Sequence, residues 1–517
     1  MLSALAARLE VMYSFFDTSP ELARSGCDTA VLPLASLEPK GPHLPIGLDL
    51  VLAYRLARDF CAGKAVYLLP AFPFSSAPEA AGFAGVVSLA QQTLFDALFD
   101  IADALRREDF RRLVILDLSL YNWIVKQTVR ELNLDGGGLQ VVWVRPKEFA
   151  REAAEEELLP DHGGGAVETA VAMHLAPGLL GELPRDYCPS VPRECIDYDG
   201  LRAAAPDGYW GRPGRATPDL GRRLYGVMLD GTREFVDRAL ELFPGGSGLA
   251  SGGGSELWWP EGDLPGVESD PSGSRPSACD WRCSVAELAG GRTDLAVLPT
   301  GALEQHTAAL PLATDFLQAL EIGRRIAEEV DGYLLPALPI LTSWGHIHFR
   351  GTLTLRAMTA RRLLEDAAES LAAGGTRRLV IFNTHGGNWM LKPTMVELNR
   401  RHRDRLRIIA TGDLLSYRGQ QAVESLHADA MEASFIKAYY PSTFREDGIV
   451  DHSPQCTASA FDLVGIRGVS PHGVWGFPSQ GTAERGRAET EERVRQAAEY
   501  VRRHSASSGA PRRDQES

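Results

Sequence analysis

Four short segments between residues 304 and 486 concentrate imidazoles and carboxylates. The first is Glu304-Gln305-His306, followed by Asp315. The second is Asn383-Thr384-His385-Gly386-Gly387-Asn388, and the third runs from His427 through Glu432 to Ser434. The fourth runs from Gly473 to Gly486 and carries Trp475. The imidazoles of His306 and His385 with the carboxylates of Glu304, Asp315 and Glu432 make a borderline-hard ligand set. Zn²⁺, Mn²⁺ or Fe²⁺ suit it. Five side chains are enough for two ions if one carboxylate bridges. A water between two ions gives hydroxide at neutral pH, and the ions polarise a scissile carbonyl. A general acid must then protonate the leaving nitrogen, and His427 is the candidate. His427 lies five residues before Glu432, which is not same-face helical spacing, so it belongs at or before a helix start. Gly386 and Gly387 let the backbone come close to substrate or metal.

Elements with alternating character must position these groups. LAVLPT (295–300), RRLVIFN (377–383) and RIIAT (407–411) read as buried strands. Asp315 to Val330 and Trp389 to Arg401 read as helices. Such alternation implies an α/β fold, a mainly parallel sheet with helices on both faces. Ligands then sit beyond the carboxyl ends of the strands, where the polar segments fall.

The chain contains this pattern twice. Val31 to Asp49 matches Val297 to Asp315 at an offset of 266 (297 − 31). Arg111 to Asn133 matches Arg377 to Asn399 at the same offset, with 12 identities in 23 positions. Glu38, Asp49 and Glu168 persist in the first copy, but Lys40 stands for His306 and Ser119 for His385. Three carboxylates without those imidazoles would hold a transition metal poorly. Lys40 would instead place an ammonium among them, a salt bridge in place of the ion. Both metals are therefore expected in the second copy only.

At 517 residues the chain fits two domains of roughly 250. The expected boundaries are a degenerate, non-catalytic domain at 1–244, a Gly/Ser/Pro-rich flexible linker at 245–278, a catalytic domain at 279–504 and a disordered tail at 505–517. A net charge of −15 repels phosphate backbones, so nucleic acid is not an expected partner. No apolar run is long enough for a membrane span. Seven scattered cysteines and an N-terminal stretch unlike a signal peptide suit a cytoplasmic protein.

The four segments together resemble the creatininase (creatinine amidohydrolase-like) family. Glu304, His306, Leu310, Pro311, Thr314 and Asp315 match its signature E-x-H-G-x-H-L-P-x-x-T-D, while Thr307 and Ala309 depart from its Gly and second His. His43 of the first copy matches that second His. The Asn383–Asn388 loop matches, as do His427, Ala428, Glu432 and Ser434, with Asp429 in place of Gly, and the Gly473–Pro478 segment. The resemblance implies two tandem three-layer α/β/α domains. It makes Asp315 the bridging ligand, with Glu304 and His385 on one ion and His306 and Glu432 on the other. In creatininase a carboxylate two residues after the loop His is implied as ligand. Here that position is Gly387, and Glu432 takes the role. His346, His348 and Trp475 are expected against the substrate, with Gly386 and Gly387. The implied reaction is metal-dependent hydrolysis of a carbonyl–nitrogen bond in a small cyclic amide or a peptide end. A metal-assisted hydrolase or isomerase of a non-amide polar metabolite is the alternative, and a metal-binding scaffold subunit is a third reading. The family also implies a homo-oligomer, a trimer of fused pairs standing for a hexamer. The first copy, packed as family subunits pack, would either lend a wall to the second copy's pocket or serve as scaffold only.

Overall fold

A computed structural model describes residues 12–135, 137–243, 249, 279–291, 293–403, 405–413 and 424–505. The expected linker and tail lie outside these residues, apart from Leu249 and Ser505. Two parallel sheets form, one in each half. The first is built from β1 (Tyr13–Ser14), β2 (Thr29–Leu34), β3 (Tyr67–Leu68), β4 (Arg112–Asp117) and β5 (Gln140–Val144), in the order β1-β3-β2-β4-β5. The second contains β6 (Leu295–Thr300), β7 (Tyr333–Leu334), β8 (Arg378–Asn383) and β9 (Arg407–Gly412), in the order β7-β6-β8-β9. All these strand pairs are parallel. The duplication is thus a duplication of sheets, and the fold is the expected tandem α/β arrangement.

The central strands are buried throughout: each residue of β2 and of β6 is covered. That is why they read as unbroken apolar runs and not as alternating ones. Register sets the geometry of the chemistry. Thr300 at the end of β6 pairs with Asn383 at the end of β8. The two strands therefore deliver the 301–315 loop and the His385 loop to the same edge of the sheet. The helix Thr314–Glu329 follows the first loop and starts one residue before Asp315. The second helix begins at Leu391 and not at Trp389, because Trp389 and Met390 form a turn closed by Leu391 N donating to Asn388 O at 3.0 Å. The helices Thr314–Glu329, Ala430–Tyr439 and Ala483–Ser505 pack against one another in one layer, and Ala357–Ala373 packs on Leu391–Arg401. Among the described residues no helix is long and apolar enough to cross a membrane.

Candidate metal centre

The second half brings Glu304, His306, Asp315, His385 and Glu432 into one buried cluster at the carboxyl end of its sheet. Asp315 sits at its centre. Its Oδ2 is 3.0 Å from His385 Nδ1 and its Oδ1 is 3.6 Å from His306 Nε2. On one side Glu304 Oε2 lies 3.3 Å from His385 Nε2. On the other Glu432 Oε1 lies 3.5 Å from His306 Nε2. Two donor triads result, Glu304–Asp315–His385 and His306–Asp315–Glu432, sharing Asp315. Both Glu304 oxygens, His306 Nε2, Asp315 Oδ2 and Glu432 Oε2 are buried and form no well-aligned hydrogen bond, the carboxylates and imidazoles facing one another at 3.0 to 3.6 Å instead. Buried carboxylate oxygens without well-aligned donors are costly unless a cation neutralises them, so the donor set fits metal ions.

The titration behaviour follows from this crowding. Burial raises Glu304 to about 7, with Asp315 adding to the effect against the two imidazoles. Burial would also raise Asp315, but His306 and His385 hold it well below the usual carboxylate range. Burial alone would lower His385, yet Glu304 and Asp315 lift it to about 9. In the absence of an ion the imidazoles supply the positive charge.

Local sequence explains how each group is held. Asp429, where the family pattern has Gly, caps the helix Ala430–Tyr439. Its Oδ1 accepts from Met431 N at 2.8 Å and Glu432 N at 3.1 Å. The cap fixes the first turn, and with it Glu432. Thr307, also at a family Gly position, has φ = 68°, a left-handed conformation unfavourable for a β-branched residue. Gly41 is its counterpart in the first half (307 − 266) and has φ = 81°. Thr307 is held by Gln305 Oε1, which accepts its N–H at 3.0 Å. Gly387 leaves no room for a side chain: a Cβ there would lie 2.2 Å from His385 Nε2. Gly386 faces open space.

His427 precedes its helix, as its spacing from Glu432 requires, and is buried. Its Nε2 lies 2.8 Å from Gln305 O, an acceptor for a proton on that nitrogen. In that tautomer Nδ1 holds the lone pair, 3.6 Å from Glu304 Oε1. Burial and the nearby His306 lower His427 to about 4. His427 also forms a third potential donor triad with Glu304 and His306. His346 joins the cluster, with Nε2 3.3 Å from Glu304 Oε1, and is held well below the usual imidazole range by burial and the neighbouring imidazoles. His348 is exposed, and its carbonyl accepts from Arg467 at 3.0 Å. Trp475 is fully buried behind His427, paired to it through backbone hydrogen bonds in both directions. Gln305, not singled out from the sequence, is central: its Nε2 lies 3.2 Å from His346 Nδ1, 3.0 Å from His427 Nε2 and 2.9 Å from Gly473 O. Its place between the two ligand-type residues of E-x-H is the one sequence signal that could have found it.

The corresponding place in the first half has a different filling. Lys40 Nζ lies 3.2 Å from Asp49 Oδ1, 3.2 Å from Glu168 Oε1 and 3.7 Å from Glu38 Oε2. A second ammonium, Lys147, bonds Asp49 Oδ1 and lies 2.7 Å from Glu168 Oε1. Burial opposes the charge on Lys40, but the three carboxylates overcome it and hold its pKa above the ordinary range. Burial likewise opposes the charge on Glu168, but Lys147 and Lys40 hold its carboxyl well below the usual range. Ser119 Oγ donates to Glu38 Oε1 at 2.7 Å. His43 Nε2 pairs with Thr169 Oγ1 at 2.9 Å, outside the ammonium–carboxylate cluster.

The creatinine amidohydrolase family model matches residues 17–236 and again 282–501. The chain belongs to the creatininase family. Its relatives include a creatinine amidohydrolase from Pseudomonas putida, 30% identical over 34% of this chain and 75% of that protein. A mycofactocin precursor peptide peptidase from Mycobacterium ulcerans is 31% identical over 37% of this chain and 78% of that protein. The solved structure "Creatininase Mn" is 24% identical, with a TM-score of 0.35, over 42% of this chain and 93% of that one. Family members are metal-dependent hydrolases, and so is this chain.

Proposed function

We propose that the second half, residues 279–504, hydrolyses a carbonyl–nitrogen bond of a small amide, cyclic or at a peptide end, with two divalent ions held in one centre. The observation that carries this reading is the position of Asp315, whose two oxygens face opposite imidazoles, each with a further carboxylate. Glu304 and His385 would complete one ligand set, and His306 and Glu432 the other. Bound there, the ions would polarise the carbonyl and supply a water of lowered pKa. With its proton on Nε2, against Gln305 O, His427 would present a bare Nδ1 to the cluster, able to take a proton and pass it to the leaving nitrogen. Gln305 holds the opposite ring nitrogen and keeps the imidazole oriented. His346, in contact with Glu304, would line the pocket, and the open space at Gly386 leaves the rim of the His385 loop accessible to substrate.

The first half, residues 1–244, is proposed to be non-catalytic. Lys40 and Lys147 supply two positive charges among Glu38, Asp49 and Glu168, and an ion would have to displace both. Relatives bearing the names creatinine amidohydrolase and peptide peptidase favour amide chemistry over the alternatives. The test is amine release from a panel of small cyclic amides and peptides. Activity is expected to vanish on chelation and to return with Zn²⁺ or Mn²⁺. Amide hydrolysis that survives complete chelation would overturn the reading.

A further inference from the structure

The two halves exchange short backbone segments. Ala313 N donates to Phe15 O at 3.0 Å and Leu312 N donates to Asp17 O at 3.0 Å. In the other direction Gly47 N donates to Trp281 O at 2.9 Å and Ile46 N donates to Cys283 O at 3.0 Å. The residues correspond at the duplication offset: 281 − 15, 283 − 17, 312 − 46 and 313 − 47 are all 266. The hydroxyl of Tyr67 donates to Gly351 O at 3.3 Å, and that of Tyr333 to Gly85 O at 3.0 Å, with the same offset. A local two-fold relation therefore joins the halves, each bracing the other.

What is braced differs in consequence. Leu312 and Ala313 lie between His306 and Asp315, on the return limb of the loop that carries three of the five clustered groups. Leu312 O accepts from Glu304 N at 3.1 Å, so the outgoing and return limbs are bonded to each other at the point where the first half is attached. Phe15 packs edge-on against Phe316, beside Asp315, at 6.2 Å. A second tie reaches the same loop: Arg445 N donates to Ala309 O at 2.9 Å, and Arg445 Nε donates to Glu21 Oε1 at 3.1 Å. The Asp17 carboxylate closes the strap by accepting from Ser14 N at 2.7 Å. Displacing the return limb moves Asp315 relative to Glu304 and His306, and ligand spacing is what an ion senses. The mirror contact braces residues 46–47 beside Asp49, whose charge is already balanced by ammoniums.

We infer that the first-half strap Phe15–Asp17 positions the metal-ligand loop of the second half, with Asp17 as a positioning residue. This rests on the metal-centre reading above. The test uses the full chain, stripped of metal and titrated with Mn²⁺ by calorimetry. It is paired with hydrogen exchange of the 304–315 segment. Asp17→Ala is expected to weaken Mn²⁺ binding by about 10-fold or more and to speed exchange at Leu312 and Ala313. Asp17→Asn keeps an acceptor for Ser14 N and is expected to restore both. The mirror variant Cys283→Ala is expected to leave Mn²⁺ affinity at the wild-type value. A folded Asp17→Ala chain that binds Mn²⁺ like the wild type would overturn the inference. If Asp17→Ala does not fold, Phe15→Leu, which removes the strap's ring contact with Phe316, decides in its place. Weakened binding supports the inference, and wild-type binding overturns it. A wild-type chain that takes up no Mn²⁺ would overturn the metal-centre reading itself. Wild-type uptake with unaffected variants would overturn this inference alone.

Discussion

The two centres pose one electrostatic problem and solve it differently. Each gathers three buried carboxylates: Glu38, Asp49 and Glu168 in the first half, and Glu304, Asp315 and Glu432 in the second. Such a cluster is untenable without compensating positive charge. The first half compensates with Lys40 and Lys147, covalently part of the chain. The second offers His306 and His385, whose nitrogens are donors to metals as well as bases. An ammonium already paired with two carboxylates balances their charge but offers no open coordination position to a substrate or a water. A divalent ion can balance the carboxylates and keep such a position. The difference lies in the cationic partners: both centres share three buried carboxylates, which face ammoniums in one half and imidazoles in the other.

The comparison can be broken at either centre. The largest effect is expected from His385→Ala, which removes the imidazole as the first half does. It should lower bound metal from about two ions to one or fewer and abolish hydrolysis, read by metal analysis and amine release. Lys40→Met should strike stability in place of activity. It leaves buried carboxylates under-compensated and is expected to cost about 3–5 kcal/mol in denaturant unfolding, while the metal content of the folded chain stays the same. His427→Ala should lower kcat by about 10²–10⁴-fold with bound metal unchanged, which separates proton transfer from ligation.

The smallest effect is one of pH on the chelated chain. Glu304 and Asp315 lift His385 to about 9 against its burial, so its imidazolium contributes stability that is complete below pH 6.5 and is lost as pH rises through 9. Lys40 is held above its ordinary 10.5 and Glu168 below its ordinary 4.5, so the first centre keeps its contribution across that window. Hydrogen-exchange protection, corrected for intrinsic rate, should fall with pH in segment 304–315 and hold in segment 38–49. Parallel behaviour of the two segments would contradict the assignment of charges.

Much of this was legible in the sequence because it was written twice. The strands at 295–300 and 378–383 are apolar runs ending in polar residues, and strand ends in a parallel sheet point to one edge. The pairing of Glu304 with His385 and of His306 with Glu432 was implied by the family resemblance, and in the fold these side chains lie 3.3 and 3.5 Å apart. Lys147 was not legible. It opens a helix after β5 and reaches Asp49 across 98 residues of chain, a contact only tertiary structure creates. Gln305 was hidden for a related reason: its partners His346, His427 and Gly473 come from three separate loops. The crossing of Phe15 and Asp17 to the other half was equally invisible, since backbone hydrogen bonds leave no mark in residue identity. Asp429 and Thr307 stood out only as departures from a pattern, and their roles as helix cap and left-handed turn emerged from the backbone.

The central claim is that one half holds metal and the other holds ammoniums. Metal stoichiometry of the purified full chain, measured by elemental analysis after equilibration with Zn²⁺ or Mn²⁺, tests it most directly. The account predicts about two ions per chain, lost on chelation and absent from a chain carrying both His306→Ala and His385→Ala. About four ions per chain, or two that survive that double substitution, would contradict it.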